Sequence, residues 1–472
     1  MASPLGWVLT RIHRTSGGPA QTRVIVLFGC VLALESADVS AVGAVAPQLQ
    51  AAFGISETQL GLLALPTYAL ALSITVVSTY LSEVTRRYTH QTTVIGVIVG
   101  SEGIMALWIP LIAGAWSDRL RTRVGGRLPF VIAGTAPAAV AVVLIGLLHS
   151  LLLVALMAAV FFAFYFVAYE PYRAMYPDLV QDPDMAGRAQ STQALARGLG
   201  TGCALLGGGL LLSIARPLPF AAAGVILVGA VGAFVVLTLR HGLARSGGSG
   251  EGARALARRV PRLLRRHPAL RAYFVANALW ETALSALKAF VILYLTIGLH
   301  YSLATGSLII GAVAFVILIG AGVSGKIGDR HGRIRVVRVA LWAYGLGFIV
   351  PLVTTSRPLI VAAAPFIALG GGTVMTMAYA LLMPLMPEDE HGTLTGFYSM
   401  SRGVGIIAGP ILAGVAIAVL GQGVFTGTQG FQAMWLICAA AALGSLFFLG
   451  RLRDADRDRD ELRNGSSESG DH

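Results

Sequence analysis

Charge is what this chain has least of. Asp, Glu, Lys and Arg make up 12% of its 472 residues, about half the share of a soluble domain. So few cannot clothe a water-facing surface, which excludes a conventional soluble enzyme. Cysteine is scarce as well: Cys30, Cys203 and Cys438 each lie inside an apolar run, which excludes a disulfide framework or a thiolate metal centre. The nine histidines are scattered, mostly in or near loops. No grouping has the spacing of a catalytic triad or metal cluster, so neither enzymatic activity nor a cofactor is expected. Net charge is +12, but the basic residues sit in short loops between apolar runs, where they set topology rather than build a phosphate-binding face. No nucleic-acid partner is expected.

What the chain has is apolar length: 56% hydrophobic residues and a mean hydropathy of +0.74. Thirteen runs stand out, at about 23–46, 57–81, 92–116, 128–148, 150–173, 189–213, 217–239, 269–297, 302–325, 334–354, 358–384, 393–420 and 430–450. Each is long enough to cross a hydrocarbon core of ~30 Å as a helix, and a backbone in lipid must satisfy itself. The spacing predicts an all-α integral membrane protein with the lipid bilayer as its solvent.

Arginine distribution predicts sidedness. Arg119, Arg121, Arg123 and Arg127 form one basic loop, and Lys326, Arg330, Arg333, Arg335 and Arg338 another. The linker from Arg240 to Arg271 carries nine arginines against one acid, Glu251. By the positive-inside bias these loops and the C-terminus are cytoplasmic, in a multi-pass protein of the inner (plasma) membrane. The expected organisation is an N-terminal extension (1–56), a six-helix bundle (57–239), a basic linker (240–268), a second six-helix bundle (269–450) and a disordered cytoplasmic tail (451–472). The extra segment at 23–46 breaks the alternation of sides. A thirteenth helix, a helix packed at the surface and a fused or misassigned start are all open readings of it.

Two motifs occur twice. GAWSDR at Gly114–Arg119 recurs as GKIGDRHGR at Gly325–Arg333, 211 residues on. Gly187 with Arg197-Gly198-Leu199-Gly200 recurs as Gly392 with Arg402-Gly403-Val404-Gly405, 205 residues on. Two motifs at nearly one offset point to a duplicated chain, an architecture of carriers more than of enzymes. One competing signal fails. Gly320–Lys326 fits the Gly-x4-Gly-Lys part of a phosphate loop, but Ile327 stands where Ser or Thr is required.

At these residues the chain resembles the major facilitator superfamily. G-x-x-x-D-R-x-G-R at Gly325–Arg333 is complete. The longer N-terminal copy, SDR followed by LRTRVGGRLPF, and EPYRAMYPDLV at Glu170–Val180 resemble the glycoside–pentoside–hexuronide:cation symporters and the related sucrose-transporter-like carriers. The doubled glycine Gly125-Gly126 departs from that branch. The resemblance implies two six-helix bundles related by a pseudo-two-fold axis, with Gly114, Asp118, Arg119, Arg127, Gly325, Asp329, Arg330, Gly332 and Arg333 as gating-motif residues. An aspartate at a helix end accepts from exposed amides, and an arginine bridges to carbonyls or acids across the gate.

Ionisable residues within the membrane are costly and so are candidates for function. Glu281, Glu102 and Glu170 are expected to couple protons, in that order. Glu170 and Arg173 are spaced to pair locally, whereas Glu281 and Lys288 lie ~10 Å apart along one helix face. A coupled carrier needs a carboxyl whose proton affinity differs between the two sides. Burial favours the neutral acid, and a nearby cation favours the carboxylate. Asn277, Trp280, Glu281, Lys288 and Tyr294 are the expected substrate contacts, with Trp108, Tyr165 and Tyr169 opposite. An aromatic ring beside amide and charged groups suits a sugar. Arg197 and Arg402 are expected to bind facing helices or gate carbonyls. The leading expectation is therefore a proton-coupled, or sodium-coupled, symporter of a sugar or glycoside. Alternatives are a proton-driven exporter of a drug or secondary metabolite, and a carrier-derived sensor that no longer transports.

Overall fold

A computed structural model describes residues 57–122, 124–175, 183–240, 261–262, 264–385, 394–421 and 423–468. The chain divides into two compact units, 1–61 and 62–472. The segment 23–46, with Cys30, lies outside the described residues. So does most of the linker.

Among the described residues twelve long helices follow one another: α1 (Glu57–Arg86), α2 (Thr92–Arg119), α3 (Leu128–Leu147), α4 (Leu151–Ala174), α5 (Pro183–Ile214), α6 (Pro217–Arg240), α7 (Pro268–Leu293), α8 (Leu303–His331), α9 (Arg333–Val353), α10 (Arg357–Leu382), α11 (Leu394–Leu420) and α12 (Met434–Glu468). Eleven hold a membrane-length apolar span among the described residues, and α8 holds a shorter one, Leu303–Ile317. Their outward faces carry bare apolar side chains such as Leu152, Ile214, Val225 and Phe447. In water such a surface would aggregate; in lipid it is the outer coat.

The duplication inferred from sequence is visible in the packing. A β-carbon on Gly200 of α5 would stand 2.3 Å from the Tyr68 carbonyl oxygen and 3.1 Å from the Leu72 amide nitrogen of α1. On Gly405 of α11 it would stand 2.3 Å from the Ala278 oxygen and 2.9 Å from the Thr282 nitrogen of α7. The second glycine of each Arg-Gly-x-Gly motif is thus the crossing point of equivalent helix pairs. Small residues let the two backbones touch there.

The two turns also correspond. Gly332, between α8 and α9, has φ +85°, and Gly125, before α3, has the same φ. Side chains with a β-carbon rarely adopt that backbone. The doubled glycine of the N-terminal copy therefore supplies the bend that Gly332 supplies in the complete motif. In the second turn, Arg333 donates from Nη1 to the Ala380 carbonyl at 3.3 Å. That oxygen lies in the last turn of α10, where carbonyls lack helical partners.

α12 runs on from the apolar span through 451–468, the stretch expected from the sequence to be a disordered tail. Asp454/Arg457, Asp456/Arg459 and Asp460/Arg463 are spaced three apart, a pattern that supports a solvated helix without apolar packing.

The halves meet along α2 and α11, which run antiparallel. Thr92 Oγ1 donates to the Gly414 carbonyl at 2.8 Å. A β-carbon on Gly96 would stand 2.3 Å from the Pro410 oxygen, and one on Gly103 2.5 Å from the Ile407 nitrogen. Leu107 lies against Gly403. Beyond that point, Gly114 has nothing within 4 Å. A second seam joins α1, α5 and α8. Tyr80 donates its hydroxyl to the Leu205 carbonyl at 2.7 Å and lies 2.8 Å from Ser307 Oγ, which also faces Gly209. Both of these inter-half hydrogen bonds, Thr92 to Gly414 and Tyr80 to Ser307, lie toward the end of the bundle away from the arginine-rich turns. The bundle is closed at that end.

Candidate functional site

Midway along the bundle four helices line a small, open cleft. Ser78 of α1 and Val99 and Glu102 of α2 line it from the first half. Glu281, Leu284, Ser285 and Lys288 of α7 and Arg402, Ile406 and Pro410 of α11 line it from the second. Helical spacing explains the set: 281, 284, 285 and 288 fall on one face of α7, and 402, 406 and 410 on one face of α11.

The crossing at Gly405 brings the charged groups together. A β-carbon on Gly405 would lie 2.6 Å from that of Glu281, and one on Gly409 2.1 Å from Ser285 Oγ. Ser285 Oγ donates across the crossing to the Gly405 carbonyl at 3.0 Å. Arg402, one turn before Gly405, donates from Nε to Glu281 Oε1. Glu281 is buried, while the Arg402 side chain is 41% exposed to the cleft. Lys288 is exposed within the cleft and Glu102 partly so. Neither has an ion-pair or hydrogen-bond partner among the described residues.

The first half has no such pair among the described residues. Arg197, the counterpart of Arg402, is exposed. The α1 position equivalent to Glu281, by the 210-residue offset of the crossing, is Ala71. Duplication has kept the packing and let the electrostatics diverge.

Several expected residues lie elsewhere. Trp280 is fully buried, donates Nε1–H to Ser445 Oγ at 2.9 Å and sits edge-on to Tyr273. Tyr294 is fully buried edge-on to Trp435. Asn277 shares the Glu281 face, but it is fully buried and donates from Nδ2 to Ser401 Oγ at 2.7 Å. None of the three lines the cleft. Trp108 is exposed and also outside it, and Tyr165 stacks on Tyr169 in α4. Glu170 and Arg173 form no ion pair among the described residues. Arg402 does bind a facing helix, as expected, but it also faces the cavity, which sequence reasoning missed. The signal was available: an arginine inside a membrane helix, and an acid, Glu281, without an assigned base.

Of the gate motif, Arg330 and Arg333 are exposed and Arg127 is partly buried. Gly328 packs on Met377 of α10. The side chains of Asp118, Arg119 and Asp329 lie outside the described set.

Residues 64–410 and 282–469 match the Major Facilitator Superfamily family. The chain belongs to the major facilitator superfamily. Over 86 residues it is 27% identical to the uncharacterized MFS-type transporter YfiU of Bacillus subtilis (strain 168). That stretch covers 18% of this chain and 17% of the relative. Among solved structures, the nucleoside transporter NupG is similar with a TM-score of 0.67 at 15% identity. The likeness covers 84% of this chain and 99% of that one. A bacterial homolog of the human lysosomal transporter Spinster is similar with a TM-score of 0.64 at 14% identity, over 84% and 96% of the two chains. At these identities the likeness concerns the fold, which is that of a multi-pass membrane transporter of the facilitator class.

Proposed function

We propose that this facilitator is a proton-coupled symporter working by alternating access, with Glu102 as the proton carrier. The supporting observation is the uneven pairing in the central cleft. Glu281 is held by Arg402, whereas Glu102 faces the same space with no partner among the described residues. A carboxyl free of a fixed counter-charge can take up and release a proton without first breaking an ion pair. This reverses the order expected from sequence, in which Glu281 came first. The aromatic platform that suggested a sugar or glycoside, Trp280 and Tyr294, is in the core. The sugar reading therefore keeps only its branch resemblance.

With the arginine-rich turns placed in the cytoplasm by the positive-inside bias, the shut end faces outward. The six-helix halves, 57–239 and 269–450, would then rock about the α2/α11 and α5/α8 seams, exposing the cleft to each side in turn.

The experiment is transport by Glu102→Gln in liposomes loaded with substrate. Exchange of labelled for unlabelled substrate persists, because binding and rocking are intact. Accumulation driven by a pH gradient disappears. Accumulation equal to that of the unsubstituted chain rules Glu102 out as the carrier. Accumulation driven by a sodium gradient alone replaces the proton with sodium.

A further inference from the structure

The cleft holds two acids, two bases and little else that is polar. Arg402 gives Nε to Glu281, and neither Nη group is donated to another residue among those described. Lys288, exposed in the same cleft, is likewise unpaired among the described residues. Two cationic groups therefore turn unused donors toward the space, while the acid beside one of them, Glu281, is covered.

We infer that the substrate is a small organic monoanion, a carboxylate, received by the Lys288 ammonium and the Arg402 Nη groups, and that it travels with one proton on Glu102. This rests on Glu102 as the proton carrier. A planar carboxylate matches the two parallel N–H groups of a guanidinium, and the ammonium adds a compact charge. The titratable and charged groups acting on Glu102 are Lys288 and Glu281 of α7, Arg402 of α11 and Tyr165 of α4.

Charge counting supplies the coupling. The empty cleft with Glu102 ionised holds two positive and two negative groups and is neutral. With a proton on Glu102 and a monoanion bound it is neutral again. A proton alone leaves one excess positive charge, and an anion alone one excess negative charge. An uncompensated charge inside a membrane bundle is costly. The two balanced occupancies are then the ones free to rearrange, and substrate and proton cross together without net charge. A neutral solute has no such role in the balance.

The test uses the full-length chain in liposomes containing a pH-sensitive dye. The probes are gluconate, glucuronate and hippurate, each beside its neutral counterpart glucitol, glucose or hippuramide. At least one acid is expected to enter in preference to its neutral counterpart. Its uptake acidifies the lumen and is unaffected by an imposed potassium-diffusion potential. Lys288→Gln weakens that acid's binding about 10- to 100-fold, the loss of one charge-assisted contact, and Lys288→Arg restores most of it. Binding is read separately as thermal stabilisation in detergent, so a variant that fails to fold is recognised before flux is scored. Neutral probes entering as well as acids, no acid binding at millimolar concentration, or Lys288→Gln leaving affinity unchanged would overturn the inference. Acid uptake without luminal acidification removes the proton on Glu102 and leaves the anion site. Acidification with a neutral probe alone removes the anion site and leaves the proton carrier.

Discussion

Replacing Glu281 by glutamine stops transport and lowers the thermal stability of the detergent-solubilised chain by about 2 kcal/mol. Glu281 is 5% exposed and neutralises Arg402, so its removal leaves two cations, Arg402 and Lys288, facing the single acid Glu102. Breaking a fully buried pair costs about 3–5 kcal/mol, and the smaller figure allows for solvent reaching Arg402 in the cleft. The double variant Glu281→Gln with Arg402→Gln regains most of the lost stability, because no orphan charge is left. It does not regain transport, because the anion loses its guanidinium. Unfolding of the four proteins, parent and single and double variants, closes a double-mutant cycle. Additive effects would show that the pair contributes nothing to the bundle.

The second large effect is steric. Leucine at position 96 cannot be accommodated while α2 lies on α11, since even a β-carbon would stand 2.3 Å from the Pro410 carbonyl oxygen and 2.9 Å from its carbon. The obstacle is backbone and cannot rotate aside. Gly96→Leu therefore wedges the shut end open, and the chain inserts and binds substrate but does not complete a cycle. Reaction of a cysteine introduced at Thr92 with a membrane-impermeant maleimide reads the opening. Labelling rises when Gly96→Leu is added. Unchanged labelling with unchanged transport would show that this seam does not gate the cleft. Gly114, where nothing lies within 4 Å, is the control: Gly114→Ala leaves the shut end as it is.

Much of this architecture was legible in the sequence. The twelve apolar runs from residue 57 onward coincide with the twelve helices, because a lipid-embedded backbone has few alternatives. The repeated motifs correctly announced duplication, and the structure explains their glycines as a crossing point in one motif and a bend in the other. The chemistry of the cleft was harder to read, for a geometric reason. Trp280 adjoins Glu281 in sequence, yet consecutive helical residues point about 100° apart. One faces Ser445 of α12 and the other Arg402. Tyr294 follows Glu281 by almost four turns and begins a π-helical stretch, Tyr294–Gly298, which shifts the register further. The Arg402–Glu281 pair joins positions 121 residues apart, and only the α7/α11 crossing brings them together. Period within a helix is written in the chain; which helix faces which has to be seen.

Alternating access about the central cleft is most directly tested by tying the shut end. In a background with Cys30, Cys203 and Cys438 replaced, cysteines at positions 92 and 414 are joined by a disulfide across the α2/α11 seam. The linked chain should bind substrate and carry none, with transport returning in full on reduction. Undiminished transport by a fully cross-linked population would contradict the account, because the two halves could not then be moving apart at that seam.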